Sequence, residues 1–328
     1  MLARRRFLGL AVGAATLPRA TRCARAQASN QIYPVRPVRL VVGLAAGGGT
    51  DVVARLMADA LTQQLGQQFF VENRTGLAGN LATQAVTNSP PDGYTLLFVG
   101  PSNTISPSVY KNLSFDFLRD TVAVAGVMRF PNLMVVPPSL PVHTVQEFID
   151  YAKDHPGKLS MASSGVGASP HLSGELFKLM TGVEMVHVPY RGSAAVYPDL
   201  MAGTVHVLFD NLPGAIGLVQ AGKLRAVGVT SAERWDALPE IPAIAETVPG
   251  YQVDVWYGIS APRGVAPQIV AILNQAVNAA LAEPKLIARF AELGGKPMPM
   301  SSEQMAQFVA QDVAKWAKVV QFAKIKPE

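Results

Sequence analysis

The sequence is poor in cysteine and histidine, and this limits its chemistry. The one cysteine, Cys23, lies in an N-terminal segment that we expect to be removed, and Arg22 before it is a poor match to a lipoprotein cleavage box. A mature chain without cysteine forms no disulfide and performs no thiol chemistry. The five histidines are scattered, without an H-E-x-x-H pattern. We therefore predict no catalytic metal site and no cofactor.

Charged residues are also few, at 16% of 328, against 49% hydrophobic residues. This balance is typical of a globular protein large enough for two cores. The formal net charge is +5, but six arginines and no acids lie within the first 28 residues. Without those arginines, 22 of the 28 basic residues remain against 23 acidic ones, a charge of −1. The sequence therefore predicts no nucleic-acid partner.

The N-terminal apolar run is too short for a membrane span, which requires about 20 residues. The run from Phe7 to Leu17 has eleven residues, follows Arg4-Arg5-Arg6, and precedes small residues that fit A-x-A cleavage sites near Ala28. This order predicts a signal peptide over residues 1–28 and a periplasmic mature protein. The arginines resemble a twin-arginine signature, and the general secretory route is the alternative.

Beyond this leader, apolar runs alternate with amphipathic segments. Val38 to Leu44 is typical of a strand covered on both faces, and a helix ending near Gly66 follows it. Further strands are predicted near residues 68–72, 94–99, 159–162, 184–188, 205–209 and 226–230. Further helices are predicted near residues 80–88, 145–154, 171–181, 196–202, 266–282 and 302–322. The alternation predicts an α/β fold with parallel strands.

Two segments suggest that the chain crosses between lobes. Residues 130–141 are dense in proline, and residues 251–262 form a second turning segment. We therefore predict a first lobe of residues 29–131 plus 256–328 and a second lobe of residues 132–255. Ligand sites concentrate at such domain interfaces.

The loop between the first strand and the first helix, Leu44–Asp51, contains three consecutive glycines. Glycines let the backbone approach a ligand, and the unpaired amides at a helix start favour an anion such as a carboxylate. The alternative is a flexible turn in which Thr50 or Asp51 caps the helix. Asp51 would compete with a bound anion, so we interpret it as a cap or as a group that orients water or an amine.

A nucleotide site is the competing interpretation of this loop. The loop lacks the Gly-Lys-Ser/Thr ending of a P-loop, and its glycines do not have the G-x-G-x-x-G spacing. Glu72, at the end of the second predicted strand, does lie near the place of a ribose-binding acid. Export argues against a dinucleotide-dependent enzyme, because nicotinamide cofactors are scarce outside the cytoplasm.

A second loop of small residues, 163–170, leads into the helix from His171. We expect Ser169 to cap this helix and Pro170 to occupy its first position. The loop then lies opposite the first one, beyond the carboxyl ends of the strands, where open α/β sheets bind ligands. A secreted serine hydrolase would require G-x-S-x-G, and the sequence around Ser163 lacks the first glycine.

Two further segments carry polar groups suited to a ligand. Tyr190 and Arg191 offer an aromatic ring and a cation that could pair with a carboxylate in two hydrogen bonds. Asp210 and Asn211 follow a predicted strand and could orient an amine or a hydroxyl, or simply form a turn.

Six groups of motifs follow one another along this chain, and the resemblance that they carry extends over about residues 32–322. They are Gly48 to Asp51, Glu72-Asn73-Arg74 with Gly76 and Gly79, Pro91-Asp92-Gly93-Tyr94, Ser164 to Gly167 with His171-Leu172 and Glu175, His187 to Gly192, and Trp256-Tyr257-Gly258. The chain thereby resembles the extracytoplasmic solute-binding receptors of tripartite tricarboxylate transporters, also called the Bug family. It departs at Leu44-Ala45-Ala46, where that family often has an aromatic residue and a proline.

The resemblance implies a type II periplasmic-binding-protein-like fold whose lobes close on a small carboxylated molecule, such as an organic, aromatic or amino acid. It also implies membrane permease subunits as partners and no enzymatic activity; a secreted hydrolase or dinucleotide-dependent enzyme is the alternative. From the residues and the resemblance together, we predict the ligand site at Leu44, Ala45, Ala46, Gly47, Gly48, Gly49, Thr50, Asp51, Ser102, Ser163, Ser164, Gly165, Val166, Gly167, Ala168, His171, Tyr190, Arg191 and Asp210.

Overall fold

A computed structural model describes residues 33–322, so the predicted signal peptide and Cys23 lie outside the described residues. The described part of the chain contains ten strands. They are β1 (Val38–Val42), β2 (Phe69–Asn73), β3 (Thr95–Val99), β4 (Thr121–Val136), β5 (Leu159–Ser163), β6 (Met185–Pro189), β7 (Val207–Asn211), β8 (Arg225–Val229), β9 (Asp254–Pro262) and β10 (Lys296–Pro297).

Eleven α-helices lie between and after these strands within the same residues. They are α1 (Gly49–Leu65), α2 (Asn80–Thr87), α3 (Pro101–Val109), α4 (Phe117–Asp120), α5 (Val145–Asp154), α6 (Ser169–Thr181), α7 (Ser193–Met201), α8 (Leu212–Gln220), α9 (Pro267–Leu281), α10 (Pro284–Glu292) and α11 (Ser302–Phe322). None of the helices in residues 33–322 is long and apolar enough to cross a membrane.

The strands form two parallel groups joined by antiparallel strands. The order along the sheet is β2-β1-β3-β9-β4-β7-β5-β6, and β8 and β10 pair with β4 outside this path. In the first group, β1 pairs in parallel with both β2 and β3. In the second group, β5 pairs in parallel with both β6 and β7. The predicted two-lobed α/β architecture with parallel strands is confirmed.

The long strand β4 connects the two groups. It pairs with β9 as far as Pro131 and with β7 from Asn132 onward. At this crossing the buried hydroxyl of Thr230 accepts a hydrogen bond from the Asn132 amide (2.8 Å) and donates one to the Val253 carbonyl (2.7 Å). Thr230 therefore joins the two segments that pass between the lobes.

We propose that the folded chain has the predicted lobe limits, because β4 changes its pairing partner from β9 to β7 between residues 131 and 132. The second crossing differs slightly from its prediction, because β9 begins at Asp254, two residues before the limit at 256. Both crossings are strands rather than loops. Their backbone groups are satisfied by strand pairing, which suits a buried position at a lobe junction.

Local sequence explains why the first unit folds as it does. β1 is buried at four of its five positions, as expected for an aliphatic strand between two layers. α1 ends at Gly66, whose φ of 68° lies in the left-handed region, and the Gly66 amide donates to the Thr62 carbonyl. The predicted glycine stop is thus confirmed.

The C-terminal helix α11 packs back on the first lobe, as predicted from its length and position. Its buried residue Asp312 accepts hydrogen bonds from Thr104 of α3 (2.7 Å) and from the indole nitrogens of Trp256 (2.9 Å) and Trp316 (3.1 Å). Burial raises the pKa of Asp312, although these donors oppose the shift. Trp256 and Trp316 are therefore core residues.

The predicted strands and helices are present, with bounds that differ by at most three residues. Three strands, β4, β9 and β10, and four helices, α3, α4, α8 and α10, were missed. Pro131 lies inside β4 rather than in a loop, and β9 is a strand where only a turn was expected. The chain also ends with three helices instead of two, because α10 follows α9 directly after Glu283.

Candidate ligand-binding cleft

The starts of four helices border one cavity between the lobes, which we call the inner compartment. Its cavity volume is about 30 Å³. Its first-lobe residues are Gly43, Leu44, Thr50, Ala78, Gly79, Leu97, Phe98, Gly100, Pro101, Ser102, Asn103 and Tyr257, and its second-lobe residues are Ser164, Ser169, Pro170 and Asn211.

Chain topology brings these four helix starts together. α1, α3, α6 and α8 each follow a strand, respectively β1, β3, β5 and β7, at the carboxyl end of that strand. The first turn of a helix carries backbone N–H groups without an intrahelical partner and a partial positive charge. No bordering residue of the inner compartment carries a charged side chain. The compartment therefore favours an anion, with each helix start contributing about 0.3 to 1 kcal/mol.

A hydrogen-bonded group of side chains connects the lobes at this compartment. The Tyr257 hydroxyl lies 2.9 Å from Thr50 Oγ1 and accepts a hydrogen bond from Asn211 Nδ2 of the second lobe. Asn211 Oδ1 in turn accepts a hydrogen bond from Ser169 (3.0 Å). Burial raises the pKa of Tyr257 well above its usual value, so the phenol is neutral.

Two serines of the inner compartment differ from this group. Ser164 of the second lobe is only 3% exposed, and Ser102 of the first lobe is half-buried. Within residues 33–322, neither hydroxyl has a hydrogen-bond partner, although both residues border the cavity. Both hydroxyls are therefore available to donate a hydrogen bond to a ligand in the cavity.

A second cavity adjoins the first, and we call it the outer compartment. Its cavity volume is about 220 Å³, and it has four residues in common with the inner compartment. Its other bordering residues are Gly76, Leu77, Tyr110, Gly165, Val166, Pro189, Tyr190 and Arg191. The Tyr110 hydroxyl donates to the Val166 carbonyl (2.8 Å), which is a direct contact across the cleft.

The glycines of the first loop do not border either compartment. They contact the second lobe: a β-carbon added at Gly49 would lie 2.8 Å from the amide nitrogen of Gly214, and Gly47 and Gly48 face Ala194. The Ala45 amide donates to the Arg191 carbonyl across the cleft (3.2 Å). This loop therefore allows close approach of the lobes, and of its residues only the ends, Leu44 and Thr50, border the inner compartment. The ligand contacts predicted for Ala45 to Gly49 and for Asp51 stay predictions.

Asp51 stabilises the shape of the first loop. Its carboxylate accepts hydrogen bonds from the Gly47 amide (2.9 Å), from Arg55 (2.9 and 3.0 Å) and from Asn73 (2.9 Å). Burial by itself would raise the pKa of Asp51, but these donors outweigh it and the net pKa is lowered. The helix is capped by Gly48 without a side-chain bond, so Asp51 acts from the third helical position, close to the predicted capping role.

The second loop is supported by two stacked histidines. The rings of His171 and His187 lie 4.0 Å apart and nearly parallel. The Gly167 amide donates to His171 Nδ1 (3.1 Å), and the Ser163 hydroxyl lies 2.6 Å from His187 Nε2. Burial, His187 and Lys178 lower the pKa of His171 to about 3, and burial and Lys178 lower that of His187 to about 4. Both rings are therefore neutral at pH 7 and act as supports behind the loop.

This arrangement corrects several expectations for the second loop. Ser163 is fully buried and Ser164 borders the cavity, so the two serines have different roles. Ser169 does not cap α6, because Ala168 is the cap residue and the Ser169 hydroxyl donates to Asn211. Gly167, Ala168 and His171 lie behind the cavity and border neither compartment.

Asp210 and Asn211 point to different sides of β7. Asp210 is completely buried and accepts hydrogen bonds from Ser193, from Tyr197 (2.7 Å) and from the Asn211 amide (2.9 Å). Burial raises the pKa of Asp210 to about 6, although these donors oppose the shift. Successive strand residues face opposite sides, so Asn211 rather than the predicted Asp210 borders the inner compartment.

Of the predicted site residues, eight border the two compartments: Leu44, Thr50, Ser102, Ser164, Gly165, Val166, Tyr190 and Arg191. The Tyr190 hydroxyl points away from the cavity and donates a hydrogen bond to Asp199 (2.6 Å). Partial burial and Asp199 raise the pKa of Tyr190 to about 12. Sequence reasoning missed the turn at Ala78 and Gly79 and the start of α3 apart from Ser102. The only signal was Gly76 and Gly79 among the motifs.

The dinucleotide alternative depends on the position of Glu72. Glu72, the candidate ribose-binding acid, pairs with Arg39 (3.0 Å) and borders neither compartment. In residues 33–322, no group of three or more His, Cys, Asp or Glu residues could hold a metal ion.

Comparison with known proteins identifies the family. Residues 53–325 match the family described as "Tripartite tricarboxylate transporter family receptor". This chain belongs to that family. BugT of Bordetella pertussis (strain Tohama I) is 34% identical over 298 residues, which cover 90% of this receptor and 91% of BugT. The predicted family and the predicted receptor function are confirmed, and the relatives support a ligand-binding protein rather than an enzyme.

Two solved structures are similar to this receptor. The R. palustris protein Rpa4515, solved with adipate, is 41% identical with a TM-score of 0.88, covering 90% of this receptor and all of that chain. MatC (Rpa3494) from Rhodopseudomonas palustris, solved with bound malate, is 32% identical with a TM-score of 0.83, covering 88% of this receptor and all of that chain.

Proposed function

We propose that this receptor captures a small carboxylated molecule in the inner compartment and delivers it to the permease subunits of its transporter. The observation that carries the proposal is the convergence of four helix starts on a cavity without a charged side chain. The adipate and malate of the two related structures support a carboxylate as the ligand class.

In this proposal the carboxylate lies among the starts of α1, α3, α6 and α8. The hydroxyls of Ser102 and Ser164 donate to it from the two lobes. A hydrogen bond to a charged group contributes about 1.5 to 3 kcal/mol, so a few such bonds account for micromolar binding, about −8 kcal/mol.

Lobe closure completes the site. Tyr257 and Asn211 come together from different lobes, and so do Ala45 and Arg191. Ligand contacts from both sides add to these bonds and favour the closed form, with the strands around Thr230 as the hinge.

The receptor acts in the periplasm in this proposal, exported by the N-terminal segment through the twin-arginine or the general secretory route. Cell fractionation of the native chain and of a variant with Arg4, Arg5 and Arg6 replaced by Lys tests the location and distinguishes the two routes.

The ligand class is tested by native mass spectrometry of the freshly purified receptor, followed by thermal unfolding with a panel of carboxylates and matched amides. We expect an unmodified acid to be retained, and the free energy of unfolding to rise by about 2.7 kcal/mol at a ligand concentration of 100 Kd. Stabilisation by amides and by no carboxylate would contradict the proposal.

A further inference from the structure

We propose that a cavity on the far side of β9 from the ligand cleft is a second binding site, which takes an aromatic ring carrying one anionic group. We call it the hinge cavity, because the strands that cross between the lobes border it. Its volume is about 630 Å³. Small-molecule sites in proteins typically measure about 300 to 1,000 Å³, so the hinge cavity has room for such a ring.

Strand alternation separates the hinge cavity from the cleft. Trp256 of β9 borders the hinge cavity, whereas the next residue, Tyr257, borders the inner compartment. Successive strand residues face opposite sides of a sheet, so the two cavities lie on opposite sides of β9. Among residues 33–322, the hinge cavity has no bordering residue in common with either compartment of the cleft. A molecule in the hinge cavity therefore does not compete with the cleft ligand for contacts.

Both crossing strands contribute to the wall of the hinge cavity. Phe130 of β4 and Asp254 and Val255 of β9 border it close to the residues at which the chain passes between the lobes. Under the proposed lobe limits, Trp235 borders it from the second lobe and Met298 from the first. Small-molecule sites occur preferentially at such interfaces between domains.

The aromatic rings of the cavity wall are fixed by their own contacts. The Trp256 indole donates to Asp312 (2.9 Å), and the Phe308 ring stands edge-on to it, with ring centroids 5.2 Å apart and an angle of 85° between the planes. The Trp235 indole donates to the Gly294 carbonyl. The rings are therefore oriented before a ligand arrives, which lowers the entropic cost of binding.

Two methionines extend this apolar wall. Met298 is buried and Met300 is half-buried, and both border the cavity. A thioether is flexible and polarisable and makes favourable contacts with aromatic rings. Aromatic side chains also prefer other aromatic rings as partners, beyond the area that they bury. The wall therefore favours a flat aromatic ligand over a polyhydroxylated molecule such as a sugar.

Charge at the rim indicates the polar end of this ligand. Arg129 borders the cavity and is exposed, and within residues 33–322 no ion pair and no contact with an aromatic ring includes it. The other charged residue at the rim, Asp254, accepts a hydrogen bond from Gln252 (2.8 Å) and lies 3.7 Å from the Lys315 ammonium. The guanidinium of Arg129 is thus the group that can bind an anionic substituent, through two parallel hydrogen bonds.

The test uses 2-naphthalenesulfonate as the probe, because a sulfonate differs from the carboxylate proposed for the cleft. Its neutral partner is 2-naphthalenesulfonamide, which keeps the rings and loses the charge. Calorimetry measures both Kd values, and thermal unfolding without the probe checks that each variant folds. We expect the native receptor to bind the sulfonate with a Kd below about 1 mM and at least about tenfold more tightly than the sulfonamide, equivalent to about 1.4 kcal/mol.

Variants locate the probe. Arg129→Gln should weaken the sulfonate about tenfold and leave the sulfonamide within about twofold, while Arg129→Lys keeps part of the preference. Met300→Glu places a negative charge at the wall and should weaken the sulfonate at least about tenfold, whereas the uncharged Met300→Gln of the same size stays within about threefold. Lys223→Gln removes an exposed charge away from the cavity, and Ser164→Ala alters the cleft, so both should bind the sulfonate as the native receptor does.

Three results would overturn the proposal. The first is no binding of the sulfonate by the native receptor up to about 1 mM, and the second is equal binding of sulfonate and sulfonamide. The third is a loss in Ser164→Ala as large as that in Arg129→Gln, since the probe would then occupy the cleft. Each of them leaves the function proposed for the cleft intact.

Discussion

The glycine loops of the two lobes are alike in sequence and different in role. The loop after β1 places its glycines against the second lobe, where a β-carbon at Gly49 would meet the backbone of Gly214. The loop after β5 places Ser164, Gly165 and Val166 along the cavities. Glycine thus lets the lobes approach closely in the first loop and shapes the ligand cavity in the second.

Their supports differ as well. The first loop is held by the carboxylate of Asp51, whose pKa is lowered by its donors. The second loop is held by the neutral pair His171 and His187, whose pKa values are lowered by burial. The two loops should therefore respond differently to substitution and to acid.

The largest expected effect is a loss of closure in Gly49→Ala. The added β-carbon would lie 2.8 Å from Gly214 N, so we expect the Kd of the ligand to rise about 100-fold, in line with the roughly 1 to 3 kcal/mol that overpacking costs. Gly48→Ala is the matched control, because its β-carbon would meet its nearest neighbour at 3.6 Å, an ordinary contact. Calorimetry on both variants measures the difference; similar Kd values would show that closure does not require this approach.

The second prediction separates the two supports by pH. Folded His171 stays neutral down to about pH 3, whereas the unfolded chain binds a proton below about pH 6.5. Stability is therefore lost as the pH falls, by about 2 kcal/mol for His171 between pH 7 and pH 5. Asp51, with its lowered pKa, should contribute a loss only below about pH 4.

Chemical denaturation at pH 7 and pH 5 tests this difference with His171→Asn, which keeps an acceptor for the Gly167 amide, and with His143→Asn at an exposed position as control. Asp210 acts in the opposite direction, because its raised pKa lets the folded state bind a proton near pH 5. The comparison is therefore made between variant and native chain. An unchanged pH dependence in His171→Asn would contradict the prediction.

The smallest expected effect distinguishes two adjacent serines. Ser164→Ala removes a hydroxyl that borders the cavity, so we expect about a fivefold rise in ligand Kd, near 1 kcal/mol, and little change in stability. Ser163→Ala removes a buried partner of His187 and Gly165, so we expect about 1 kcal/mol lower stability. Thermal unfolding with and without ligand measures both. The reverse pattern would mean that the two serines have exchanged roles.

Local pattern was sufficient for most elements and for part of the site. The aliphatic run at β1, the stop at Gly66 and the helix α5 were all predictable, because strand burial and helix ends depend on nearby residues. β4 was not, since Pro131 usually argues against a strand interior and only pairing with β9 and β7 explains it.

The cleft shows the same limit. Ser102 and Ser164 were among the predicted site residues, whereas Tyr257 appeared only in a motif and Asn211 only as the neighbour of Asp210. Tyr257 comes from a strand more than 200 residues after Thr50, its hydrogen-bond partner. Asp210 was predicted as the ligand contact, but the alternation along β7 buries its side chain and places Asn211 at the cavity.

The sequence by itself determined the alternating α/β elements, the pairing of a glycine loop with a helix start in each lobe, and the family. These depend on composition and on spacing of a few residues. Only the tertiary structure decided which of those residues face the cleft, because that depends on strand alternation, on helix starts brought together by parallel strands, and on the surface that the opposite lobe presents.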